Sequence, residues 1–255
     1  RAANEITADD VSDIMARMIG EGIERQTNVV RAFLRASFSY GAKLDNDPRR
    51  KAEALRAANG KASKLFAIRG NPVADVPRIA EFDRARDRVL TDDELRLYLN
   101  SLGSLHPSIG ALLRVALLIG GQRLSQIKRV RWTDYDDAER ILKLRDAKGR
   151  GGIRDHLLPV SDRVARILDA TPRFSEECYI FSTMGGETQI DLSTVSNAVA
   201  GIARASSKTS IKAYSASDLR RTVETRLAQL GVAKEIRAQV LSHGRASGVQ
   251  EKHYD

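Results

Sequence analysis

Ten residues, "RGNPVADVPR", interrupt this chain between positions 69 and 78 with two prolines, Pro72 and Pro77, and no apolar period. Proline has no backbone N–H, fixes its own φ and steers the residue before it away from helix, so the stretch reads as an extended linker. We place a boundary between residues 72 and 90, and assign residues 1–80 to one domain and residues 81–255 to a second.

The two sides of the break differ in character. Before it, "ITADDVSDIMARMIGEG" offers Thr7 as an N-cap with Asp10 three residues on, and Ile14, Met15 and Met18 then recur at helical spacing. "TNVVRAFLRASFSYGAKL" places Val29, Val30, Phe33, Leu34 and Phe38 along one stripe, with Gly41 suited to its end. "PRRKAEALRAANGKASKLFAI" carries a weaker helical pattern broken near Gly60. These features predict a small helical bundle with a solvated basic face.

After the break, "LTDDELRLYLNSL" opens with a capping box from Thr91 to Glu94, and "PSIGALLRVALLIGG" is an apolar helix that stops at Gly120–Gly121. "LSQIKRV" continues as a short helical turn. "RILKLRD", "IRDHLLPV" and "CYIF" have strand character, with "AKGRGG" a turn between the first two. "DLSTVSNAVAGIARASS", "SDLRRTVETRLAQLG" and "AKEIRAQVLSHG" read as helices. The predicted fold is mainly α with a small antiparallel β-sheet, a helical domain followed by a mixed α/β domain.

Several function classes drop out. "GALLRVALLIGG" is too short to span a bilayer and holds Arg114, so no membrane partner is expected. The single cysteine, Cys178, cannot form an internal disulfide and fits a reducing, cytoplasmic compartment. "RAANEITADD" has no apolar stretch of a signal peptide, and a start at Arg1 suggests a piece of a longer protein. The histidines, His106, His156, His243 and His253, show no metal-ligand spacing, and no P-loop or G-x-S-x-G motif occurs. With 42 Lys+Arg against 33 Asp+Glu, the formal charge is +9, which favours a polyanionic partner.

A set of cations sits at element ends. Arg123 follows Gly120-Gly121-Gln122 where one helix ends and another begins; alone, this is an ordinary helix junction. Lys148 lies with Arg150 at a glycine-rich hairpin tip, where, taken alone, a solvated turn lysine is the better reading. Arg220 and Arg221 stand early in a helix whose apolar side carries Leu219, Val223 and Leu227. Successive helical residues point about 100° apart, so only one of the pair can face inward. A partly buried arginine there wants an anion, and Asp218 is an internal candidate. His243 reads alone as a helix C-cap and Tyr254 as a surface aromatic.

Taken in order, these segments resemble the tyrosine recombinases, the phage-integrase family. The resemblance runs from Arg123 through "LSQI" to Trp132, Asp134 and Asp136, then to hairpin Lys148, "SASDLRRT", "VLSHG" and the final tyrosine, and covers residues 88–255. Residues 1–80 resemble the family's core-binding domain in general character. It implies a catalytic set of Arg123, Lys148, Ser217, Arg220, His243 and Tyr254. Ser217 departs from the pattern, standing where the H-x-x-R box has histidine or, in some members, lysine. "LSH" in place of "LGH" is a milder change.

By that resemblance, Tyr254 attacks a DNA phosphodiester and becomes linked to the 3′-phosphate. Arg123 and Arg220 fork onto the non-bridging oxygens, Lys148 delivers a proton to the leaving 5′-oxygen, and His243 donates to a non-bridging oxygen. Serine is a poor base, but it can orient a phosphate oxygen or a water. No cofactor is implied, because the covalent intermediate retains the bond energy. The implied partner is double-stranded DNA, clamped between the two domains by a homotetramer that exchanges strands through a Holliday junction. A bacterial or phage-encoded protein, cytoplasmic and associated with the nucleoid, is the implied setting. The family's tail beyond the tyrosine is expected to be absent, since only Asp255 follows. Three alternatives stay open: DNA binding with weak or no cleavage because of Ser217, a type IB topoisomerase activity, and a helical structural protein without a DNA role.

Overall fold

The computed structural model describes residues 1–56, 64–83, 87–146, 154–207 and 212–242. The protein is mostly helical with one small antiparallel sheet, as the sequence predicts. It divides into two compact units, Arg1–Ala85 and Arg86–Asp255.

The first unit is built on α1 (Ala8–Gly20), α2 (Glu24–Asp45) and α3 (Pro48–Arg56). Thr7 caps α1 by accepting from the Asp10 N–H, and the Asp10 carboxylate accepts from the Thr7 N–H in return. The apolar stripe expected on α2 is only partly used. Leu34 and Phe38 pack against Val11 and Met15 of α1, but Phe33 is 70% exposed, and the residues α2 buries are Thr27, Asn28, Arg31, Gly41 and Asp45.

The reason lies in the segment read as a linker. Instead of running free, Val73 and Val76 are buried in the same apolar cluster, and polar side chains of α2 tie the backbone around them. The Asn28 amide donates to Ile79 O at 2.7 Å and accepts from the Ile79 N–H at 3.1 Å. Arg31 Nε donates to Val76 O at 2.7 Å, and Asn71 Nδ2 donates to Arg35 O at 2.8 Å. A proline-rich segment forms no ladder of its own, so its buried backbone groups need such partners. Gly41 does not end the helix. A Cβ there would stand 2.8 Å from Ile68 Cδ1, so glycine lets the strap lie flat on α2.

Asp45 anchors the start of this strap. Its carboxylate accepts from the N–H groups of Leu65, Phe66 and Ile68, at 2.7 Å from Leu65. Ala67 stands at φ 52, a left-handed conformation that costs about 1–2 kcal/mol without glycine. Burial alone would push the Asp45 carboxyl up. The N–H groups of Phe66, Leu65, Ile68 and Ala67 outweigh it and hold the carboxyl below its ordinary value.

The second unit contains α4 (Asp92–Ser101), α5 (Pro107–Leu118), α6 (Leu124–Ile127), strands β1 (Tyr135–Asp136), β2 (Ile141–Asp146) and β3 (Arg154–Pro159), then α7 (Asp162–Asp169), α8 (Leu192–Ser207), α9 (Ala216–Gln229) and α10 (Lys234–Val240). The strands form one sheet in the order β1-β2-β3, with Leu142 opposite Leu158 and Leu144 opposite His156. "CYIF" is not a strand: Tyr179 makes a single bridge to Arg131, and the third strand is Tyr135–Asp136 instead. Helix α7 was not anticipated, although Val164, Ala165 and Leu168 are buried at helical spacing.

Helix α5 lies at the centre, with Ile109, Leu112, Leu113, Val115 and Ala116 all buried. The Thr91–Glu94 capping box starts α4, and Arg88 pairs with Glu94 at 2.5 Å. Just before it, Leu90 is fastened to α9: its N–H donates to Thr222 Oγ1 at 2.9 Å, and its carbonyl accepts from Arg226 Nη2 at 3.3 Å. Arg226 also pairs with Asp92.

Replacing Asp45→Asn removes the charge that gathers the strap's N–H groups. Amide hydrogen exchange at Leu65, Phe66 and Ile68 should accelerate, with a lower melting temperature. Because the folded carboxyl titrates below its unfolded value of about 3.9, its stabilising effect is complete above that pH and disappears as pH falls through the lowered value. The difference between wild type and Asp45→Asn should therefore shrink in acid.

Candidate active site

The site is built where α5 ends. Gly120 and Gly121 adopt φ 98 and φ 70, both left-handed, and turn the chain sharply away from the helix. The Gln122 N–H reaches back to Ala116 O at 2.7 Å and closes the turn. The missing side chains also admit other elements. A Cβ on Gly120 would stand 2.3 Å from Val240 Cγ1, and one on Gly121 would stand 3.0 Å from Val223 Cβ and 3.3 Å from Arg220 Cα. The end of α5, the first half of α9 and the end of α10 thus meet at two glycines.

Arg220 occupies this meeting point. Its Nη1 donates to Gly121 O at 2.9 Å, and its Nη2 donates to Leu241 O. Arg221 points elsewhere and pairs with Asp218 at 2.8 Å, the carboxylate being 1% exposed. Asp218 also accepts from the Ser215 N–H at 2.9 Å and from Ser215 Oγ at 2.7 Å, which caps α9. The internal acid foreseen in the sequence pairs with Arg221, and Arg220 bridges two backbone carbonyls.

Arg123 is half-buried and stands at the N-cap of α6, two residues beyond Gly121. Two residues of extended chain span at most about 7 Å, so the backbones of Arg123 and Arg220 belong to one junction. Ser217 is exposed on the first turn of α9, three residues before Arg220, and its Oγ lies 3.4 Å from Ser215 Oγ. Residues three apart on a helix are surface neighbours, and first-turn N–H groups favour anions. Lys148, His243 and Tyr254 lie outside the described residues. Among the described residues no group of His, Cys, Asp and Glu could hold a metal ion. None of the described helices is long and apolar enough to cross a membrane.

Two participants were missed in the sequence. Gln122 Nε2 donates to Val240 O at 2.8 Å, and His156 Nε2, from β3, donates to the same oxygen at 3.1 Å. The burial of His156 was foreseeable, because it alternates with Leu158 on β3, but its partner 84 positions away was not.

Gly120→Ala and Gly121→Ala should each destabilise the protein by more than the roughly 1–2 kcal/mol of a left-handed alanine, because the added methyl also meets Val240 or Val223. Chemical denaturation checks this. Gly103→Ala, where a Cβ meets nothing within 4 Å, should behave nearly like wild type.

Neither a protein-family model nor a curated protein matches the sequence. Solved structures do. The Tn1549 transposon integrase in complex with circular intermediate DNA is similar over 100% of this chain and 83% of that chain, with a TM-score of 0.61 at 16% identity. A lambda integrase dimer bound to a COC′ core site is similar over 99% of this chain and 81% of that one, with a TM-score of 0.60 at 19% identity. A lambda integrase tetramer bound to a Holliday junction matches over 99% and 67%, with a TM-score of 0.59 at 20% identity. The fold of this chain is the one shared by the Tn1549 and lambda integrases.

Proposed function

We propose that the chain is a site-specific DNA recombinase that cleaves and rejoins duplex DNA through a 3′-phosphotyrosine intermediate. The observation that carries this reading is the junction itself: Arg220 is seated at the glycine turn from which Arg123 departs, in a protein with an integrase fold. A net charge of +9 suits a phosphate backbone.

In this reading the two arginines bind the non-bridging oxygens of one phosphate and offset the charge that builds during attack. Tyr254 enters as the phenolate that neighbouring cations favour and forms the bond to phosphorus. The bond to the 5′-oxygen breaks, and Lys148 supplies that oxygen with a proton. His243 donates to a non-bridging oxygen. Ser217, on the helix turn before Arg220, offers its hydroxyl to the same phosphate. Residues 1–80 add phosphate contacts, which position rather than specify. The active assembly is a homotetramer on two DNA sites. A lambda integrase of the same fold has been seen as a tetramer on a Holliday junction.

A nicked suicide duplex tests the reading. Wild type should form a covalent adduct whose mapped peptide contains Tyr254, and Tyr254→Phe should form none. Arg123→Ala and Arg220→Ala should each slow adduct formation by about 10²–10³-fold, the usual loss for a donor aimed at developing charge. Salt-dependent DNA binding without any wild-type adduct would defeat the recombinase reading and favour a DNA-binding protein that does not cleave. In that case Ser217→His should restore cleavage if serine is the cause.

A further inference from the structure

Gln122 and His156 have no part in the chemistry proposed above, yet both are buried, 4% and 3% exposed, and both end on one oxygen. Gln122 comes from the α5–α6 junction and His156 from β3, and Val240 O accepts from the two at 2.8 and 3.1 Å. The next carbonyl, Leu241 O, accepts from Arg220 Nη2, and Arg220 Nη1 donates to Gly121 O, whose residue immediately precedes Gln122. The bonds close a circuit from Gly121 through Gln122, Val240, Leu241 and Arg220 back to Gly121.

We infer that Gln122 and His156 are positioning residues for Arg220. They fix the end of α10 through Val240 O, and the end of α10 supplies Leu241 O, the acceptor of Arg220 Nη2 that helps orient the guanidinium. The physical need is plain. Helix α10 has seven residues and none of them is buried; only its C-cap Leu241 is, at 0% exposed, so the bonds to Val240 O add to that single apolar anchor the direction in which the next carbonyl points. A guanidinium is a planar fork, and acceptors on both Nη atoms fix its rotation about the Nε–Cζ axis. Losing one acceptor lets the plane turn. Displacing a reacting group by about 1 Å can cost about 100-fold in rate. His156 donates from Nε2 in the Nε2–H tautomer and in the cation, the two forms that a carbonyl partner selects. The functional consequence rests on Arg220 being a phosphate ligand; the geometric inference does not.

Arginine side-chain NMR on ¹⁵N-labelled protein tests the geometry without using activity. The Arg220 signal is identified by its loss in Arg220→Lys. In wild type, rotation of the Arg220 NH₂ groups should be slow. In the Gln122→Leu/His156→Leu double variant it should become fast, and in His156→Gln, which keeps an N–H donor, it should stay slow. If the double variant does not fold, Gln122→Leu alone should give an intermediate rate. Adduct formation on the suicide duplex should fall about 10–100-fold in the double variant, with DNA affinity unchanged within about twofold. An Arg220 guanidinium as restrained in the folded variants as in wild type overturns the inference, whatever cleavage does. If wild type forms no adduct, the reading of the site fails separately, and the guanidinium signal alone decides the positioning role.

Discussion

Two absent side chains set the geometry of the second unit. Gly120 brings Val240 closer to the end of α5 than any side chain would allow, and Gly121 leaves Val223 and the backbone of Arg220 only the room of a tight contact. Their left-handed φ values also turn the chain so that Gln122 points to α10 and Arg123 starts α6. The guanidinium of Arg220 can reach Gly121 O only because nothing stands between the two backbones. Positive charge is thus seated at this junction on two carbonyls, one of them Leu241 O at the C-cap of α10. A carbonyl at a helix C-terminus carries the negative end of the helix dipole, which favours a cation there before any ligand arrives.

The first unit solves a different problem by polar means. A segment with two prolines cannot pair its backbone in regular structure, yet it contributes Val73 and Val76 to the core. Helix α2 answers with Asn28, Arg31 and Asp45, side chains that read main-chain groups directly. Fully burying a valine is worth about 1.5–3 kcal/mol, and the gain survives only if the accompanying N–H and C=O groups are satisfied.

Local signals in the sequence proved reliable where the physics is local. The capping boxes at Thr7 and Thr91, the long strands on either side of the hairpin and the glycine stop after α5 depend on residues a few positions apart, and each is present. Periodicity misled on α2, because burial of Asn28 and Arg31 depends on a strap 45 to 51 residues away and leaves no trace in a hydrophobic pattern. Gly41 resembled a helix stop for the same reason, since its neighbour Ile68 comes from that strap. The sorting of Arg220 from Arg221 was half legible: one had to face inward, and Asp218 was in view, but which arginine it would take depended on α10. Nothing in the sequence sets Gln122 apart, because the carbonyl it meets lies 118 positions later.

The fastening of Leu90 has a mechanical meaning. Its N–H and C=O are both spent on α9, at Thr222 and Arg226, positions that flank the turn after Arg220. Tension on the backbone entering this unit is therefore shared between α9 and α4, to which Arg88 is tied through Glu94. The load path passes through the element that carries the guanidinium, so the chain's point of entry and its cationic seat share one rigid rod.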